Sequence, residues 1–122
     1  IEARTMIDMA RKQILPAIIK YTKTLADTVN AVKEAGADAS VQSETLSEIT
    51  VLLKEARSAL MELEKVTEEV SGLPDGPDKA QRYYHEVHPA MDALRDPVDQ
   101  LEMVVDKEAW PMPSYGDLIF EV

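Results

Sequence analysis

Apolar side chains recur every three or four residues through three long stretches of this chain. That spacing restricts the chain to helices laid side by side. In the first stretch the apolar positions are Ile7, Ala10, Ile14, Ile18, Tyr21, Leu25, Val29 and Val32. In the second they are Leu46, Ile49, Leu53, Ala56, Leu60, Leu63, Val66 and Val70. The third carries Ala80, Tyr83, Val87, Met91, Leu94, Val98, Leu101 and Val105. Steps of three and four gather these residues on one face of a 3.6-residue helix, which must then be buried against something.

The breaks between the stretches are short. Gly36 is a natural C-terminal cap for a first helix over residues 1–35. Thr45-Leu46-Ser47-Glu48 has the form of a capping box opening the second helix, with Ser43 as a rival cap. Gly72 and Pro74 stop that helix, and Leu73–Pro77 reads as a turn. A third helix begins near Pro77-Asp78. Pro89 and Pro97 fall inside its pattern and either kink it or divide it; the unbroken apolar phase favours one bent helix. Pro16 should likewise kink the first helix. From Trp110 the periodicity ends, and Trp110-Pro111-Met112-Pro113 is not ordinary helix. The expected fold is therefore all-α: an antiparallel up-down-up bundle of three long helices over residues 1–109, with an extended C-terminal tail over 110–122. An intermolecular coiled coil is the second choice, because the short loops favour pairing within one chain.

Composition removes several function classes. The 122 residues contain no cysteine, so disulfides, thiolate metal sites and thiol catalysis are excluded. The net charge of −10 repels phosphate backbones and anionic membrane surfaces, so neither nucleic acid nor membrane is an expected partner. The absence of cysteine suits a cytoplasmic protein. The charge is uneven. Residues 1–35 hold six basic and four acidic side chains, whereas residues 73–109 hold four and nine. The chain opens at Ile1 directly in helical pattern with no cap before it, which reads as a piece of a longer protein.

No catalytic constellation emerges. His85 and His88 are three residues apart, not the four of a zincin helix, and neither has glutamate three residues before it. Glu48, Glu55, Glu62 and Glu69 fall on solvent-facing phases rather than converging on a pocket. The four glycines form no phosphate-binding loop. No catalytic residue, metal ligand or cofactor contact is therefore assigned to these residues. The candidates that remain are docking contacts. The stretch from Ile14 to Ile19 is apolar all round, which suggests burial on two sides through Ile14, Leu15, Ile18 and Ile19, or self-association into a dimer when a neighbour is missing. Trp110, Tyr115 and Phe120 place three of six aromatic residues in the last thirteen positions, too many for a disordered tail. That tail either covers its own bundle or clips onto a neighbouring domain or subunit.

Two stretches add a resemblance. Glu2-Ala3-Arg4-Thr5-Met6-Ile7-Asp8-Met9-Ala10, continuing to Ile14-Leu15-Pro16-Ala17, resembles the start of the C-terminal domain of type III glutamine synthetases. Trp110-Pro111-Met112-Pro113-Ser114-Tyr115-Gly116-Asp117-Leu118-Ile119-Phe120 resembles the end of those enzymes. Tyr84, Pro89, Met91, Leu94-Arg95 and Leu101-Glu102 lie between them in the expected order. The resemblance implies a parent enzyme that joins ammonia to glutamate with ATP and magnesium or manganese, assembled from hexameric rings. It implies partners in the upstream catalytic domain and neighbouring subunits. The nucleotide, metal and glutamate residues of that family lie upstream, so none is carried onto this chain. A free-standing interaction or scaffold module is the alternative.

Overall fold

The computed structural model describes residues 2–111. They form three helical rods. The first joins α1 (Glu2–Met9) to α2 (Leu15–Glu34) through a π-helical turn, Ala10–Ile14. The second is the single helix α3 (Ser40–Ser71). The third joins α4 (Pro77–Arg82) to α5 (His88–Val104) through a second π turn, Tyr83–Val87. There is no strand among the described residues.

Both π turns have the same cause. A proline inside a helix lacks the N–H that would bond the carbonyl four residues earlier, and its ring collides with that carbonyl. Pro16 and Pro89 are each the second residue of the helix that follows a π turn. Just before them, the Leu15 N–H bonds the Ala10 carbonyl and the His88 N–H bonds the Tyr83 carbonyl, each five residues back. The widened turn makes room for the ring, and the rod continues. Pro97 sits buried within α5, which runs through it. The third stretch is thus helical from 77 to 104 rather than divided. The extra residue of a π turn also rotates everything before it by about 100° relative to a regular helix. This explains why Ala80, in phase by simple counting, is exposed.

The first rod ends in a Schellman motif. Gly36 takes φ 82°, its N–H bonds the Lys33 carbonyl, and the Ala37 N–H bonds the Val32 carbonyl. The start of α3 departs from expectation. The helix begins at Ser40, and Asp38 supplies the acceptors, taking bonds from the Ser40 N–H at 3.1 Å and the Ser40 hydroxyl at 2.8 Å. Thr45 lies a full turn inside, where its hydroxyl donates to the Val41 carbonyl, so the Thr45–Glu48 box caps nothing.

One continuous core joins the rods, from Ala3 through Ile18, Ile49, Leu63 and Leu94 to Leu101 and Trp110. The middle rod packs against both others. Arg4 donates to the Ser71 hydroxyl at 3.0 Å, and Arg11 Nε donates to Glu64 at 3.0 Å. The beginning of the first rod therefore lies beside the end of the second. Arg82, near the start of the third rod, stands 3.9 Å from Glu69 near the end of the second. Leu94 is fully buried as its phase requires, whereas Leu53 is only half-buried and Leu52 takes the inward position beside it.

Candidate docking surfaces

The four apolar residues expected to face two neighbours are placed differently from one another. Ile14 is 7%, Leu15 8% and Ile18 0% exposed, but Ile19 is 57% exposed. The chain's own rods cover the first three. Ile14 lies toward Met91 and Leu94 of α5, along an apolar groove of about 430 Å³ that also contains Met6 and Met9. Leu15 lies toward Leu60 of α3. Adjacent residues thus line different grooves, Ile14 the one shared with α5 and Leu15 the one shared with α3. An all-round apolar turn is thus largely satisfied inside the molecule, and the surface it leaves is Ile19.

Ile19 does not stand alone. It shares a shallow depression of about 280 Å³ with Pro16, Met61, Arg57 and Arg11, over a floor of Leu15 and Leu60. Met61 is 56% exposed. The Arg11 guanidinium is held by both carboxylate oxygens of Glu64, a bidentate bond that raises its pKa further. Nothing in the sequence singled out Arg57 and Met61. The only available signal was that the pair, four residues apart on α3, falls off the buried stripe onto a shared outer face.

The histidine cluster is an aromatic patch on the surface. His85 and His88 are both exposed, and each ring lies against Tyr84, with centroids 5.2 Å and 5.9 Å away. Tyr83 meets His88 edge-on at 5.5 Å. Among the described residues no group of three or more His, Cys, Asp or Glu side chains could hold a metal ion. Nearby, Arg82 clamps Glu86, with its Nη2 3.1 Å from Oε1, and that hydrogen bond lowers the Glu86 carboxyl below its ordinary pKa. Glu48, Glu55, Glu62 and Glu69 are all exposed, as their phase required. No helix among the described residues is long and apolar enough to cross a membrane.

Trp110 is 9% exposed and packs on the shared core just beyond α5. Its N–H bonds the carbonyls of Asp106 and Lys107, and Asp106 also accepts from the Glu108 and Ala109 N–H groups. The first tail residue is therefore seated on its own bundle. Tyr115 and Phe120 lie outside the described residues, as does the remainder of the expected tail from Met112 onward.

Residues 1–33 match the family model of the glutamine synthetase C-terminal domain. The chain is similar to glutamine synthetases. A glutamine synthetase of Bacteroides fragilis is 26% identical over 126 residues, covering 98% of this chain and 17% of the relative. A type-3 glutamine synthetase of Dictyostelium discoideum is 29% identical over 129 residues, covering 98% and 17%. The glutamine synthetase of Butyrivibrio fibrisolvens is 26% identical over 124 residues, covering 100% and 18%. The chain therefore spans less than one fifth of the length of the relatives it matches. The stretch matched by the glutamine synthetase C-terminal model ends one residue before the first rod does.

Proposed function

We propose that this chain is the non-catalytic C-terminal helical region of a type III glutamine synthetase, a structural and oligomer-packing element of an enzyme that joins ammonia to glutamate with ATP. The observation that carries this reading is the coverage. Nearly all of the chain aligns with enzymes of which it spans only 17 to 18%. One of these relatives is described as type-3. The ligase chemistry, with its ATP and magnesium or manganese, belongs to the remaining part of the polypeptide. Its partners are the upstream catalytic domain and neighbouring subunits, in the cytoplasm. The contacts Arg4–Ser71, Arg11–Glu64 and Arg82–Glu69 support an up-down-up antiparallel course for the three rods.

Sequencing the reading frame upstream of Ile1 tests this directly. A long synthetase-like region in the same frame is the expected result, and a start codon immediately before Ile1 overturns it. On the purified 122-residue chain, calorimetric titration with Mg·ATP should show no saturable binding. Saturable binding with a defined stoichiometry would refute the assignment of a non-catalytic role.

A further inference from the structure

The arginines of this chain are nearly all engaged. Arg4 reaches Ser71, Arg11 holds Glu64, Arg82 clamps Glu86, and Arg95 contacts Asp92. Arg57 alone has no hydrogen-bond or ion-pair partner among the described residues, in a chain whose net charge is −10. It borders the depression that holds Pro16, Ile19 and Met61. Lys20, next to Ile19 and likewise unpaired among the described residues, lines the opposite flank of Pro16. An exposed apolar depression, with a guanidinium and an ammonium at its edges that are unpaired among the described residues, is complementary to an apolar surface carrying carboxylates. Arginine forks bind carboxylates in two-point fashion, and interfaces are enriched in them.

We propose that this depression, lined by Pro16, Ile19 and Met61 with Arg57 and Lys20 beside it, docks an acidic amphipathic segment of the longer polypeptide. The inference rests on the proposed function, because the docking segment belongs to the remainder of the enzyme. A second copy of this chain is a poorer occupant. A two-fold contact through this face would set the cations of one copy against those of the other. Met103, the most exposed of the large apolar side chains among the described residues, lies in a different setting, with Asp99, Glu102 and Asp106 within four residues on its own segment.

The methionines provide the test, since each reports one face. Met6 and Met9 line the groove, Met61 lines the depression, Met91 is buried and Met103 is 84% exposed. Oxidation by dilute hydrogen peroxide, followed by peptide mass spectrometry, is compared between the 122-residue chain and the natively assembled longer polypeptide. Met61 should oxidise readily in the isolated chain and at least about tenfold more slowly in the longer polypeptide, with Met103 unchanged as internal control. In the longer polypeptide, Ile19→Glu should restore the Met61 rate. The milder Arg57→Gln, which leaves the apolar packing intact, should restore it in part. If Met6, Met9 or Met103 is protected instead, the region packs through another face; this inference then fails while the proposed function stands. If no methionine changes, both fail. Concentration-dependent protection of Met61 in the isolated chain would identify a second copy as the occupant and overturn the assignment.

Discussion

Ile18 and Ile19 are adjacent in sequence and identical in chemistry, yet the structure gives them opposite energetic roles. Ile18 is 0% exposed and Ile19 is 57% exposed. Ile18→Ala removes three buried carbons at about 0.8 kcal/mol each, or roughly 2.4 kcal/mol before any cavity is counted. The cavity left in the packed core raises the total to about 3–4 kcal/mol, inside the range usual for such truncations. Ile19→Ala removes the same atoms from a site that buries less than half of them, a loss of about 1 kcal/mol. Alanine's better helix propensity returns about 0.4 kcal/mol of that. Urea unfolding followed by circular dichroism at 222 nm reads both. With a slope of about 2 kcal/mol per molar, Ile18→Ala should lower the midpoint by about 1.5 M and Ile19→Ala by about 0.3 M. Equal shifts for the two variants would refute the inward placement of Ile18 and the outward placement of Ile19. So would a loss below about 1 kcal/mol for Ile18→Ala.

The same assay separates Leu94→Ala, expected to cost about 2–5 kcal/mol at a fully buried site, from Leu53→Ala at a half-buried one, expected to cost clearly less. Thr67 is buried and its hydroxyl has no hydrogen-bond partner among the described residues, so Thr67→Val should raise stability by about 1 kcal/mol; a loss would mean the hydroxyl is satisfied. Gly36→Ala should destabilise by about 1 kcal/mol although nothing lies within 4 Å of the added carbon, because φ 82° is the cost, and Gly36→Asn should recover part of it. Arg82 lowers the Glu86 pKa, first through their hydrogen bond. The stability this gives is present above the ordinary glutamate pKa of about 4.3 and is lost as pH falls through the lowered folded value. The advantage of the natural chain over Glu86→Gln, measured by thermal unfolding, should therefore be seen near neutral pH and vanish in strong acid. An advantage that grows on acidification would reverse the assigned sign.

The three rods were legible in the sequence because burial on one face leaves a periodic trace, and the stops at Gly36 and Gly72 leave a local one. The start of α3 was not. Thr45-Leu46-Ser47-Glu48 and Asp38-Ala39-Ser40 are both acceptable helix openings, and local chemistry alone does not rank them. Ala39 decides between them by being 4% exposed, a tertiary fact that holds the chain entry five residues earlier. Leu53 and Leu52 show a related limit. Both suit a helix, and only packing among three rods selects Leu52 for the inward position. The docking surface was legible in part. Hydrophobicity marked Ile14, Leu15, Ile18 and Ile19 as one group. Which of them the chain covers for itself depends on rods that arrive forty to eighty residues later.

Proline left a more specific mark than its local chemistry alone suggests. The expectation for Pro16 and Pro89 was a kink, since a lost bond and a steric clash usually bend a helix. A π turn stands immediately before each of them. That solution costs phase rather than continuity, because one extra residue rotates the preceding helix against the following one. In the third rod the cost falls on α4, whose six residues contribute nothing buried. In the first rod α1 still buries Ala3, and Arg4 and Arg11 tie that end to Ser71 and Glu64 of α3. Downstream of the π turn, Ile18 can bury completely, while Ile19 faces out beside Pro16, the residue that required the turn. The surface proposed for docking thus includes the same proline that makes the rod irregular: Pro16 lines one depression with Ile19, and its missing N–H accounts for the π turn just before it.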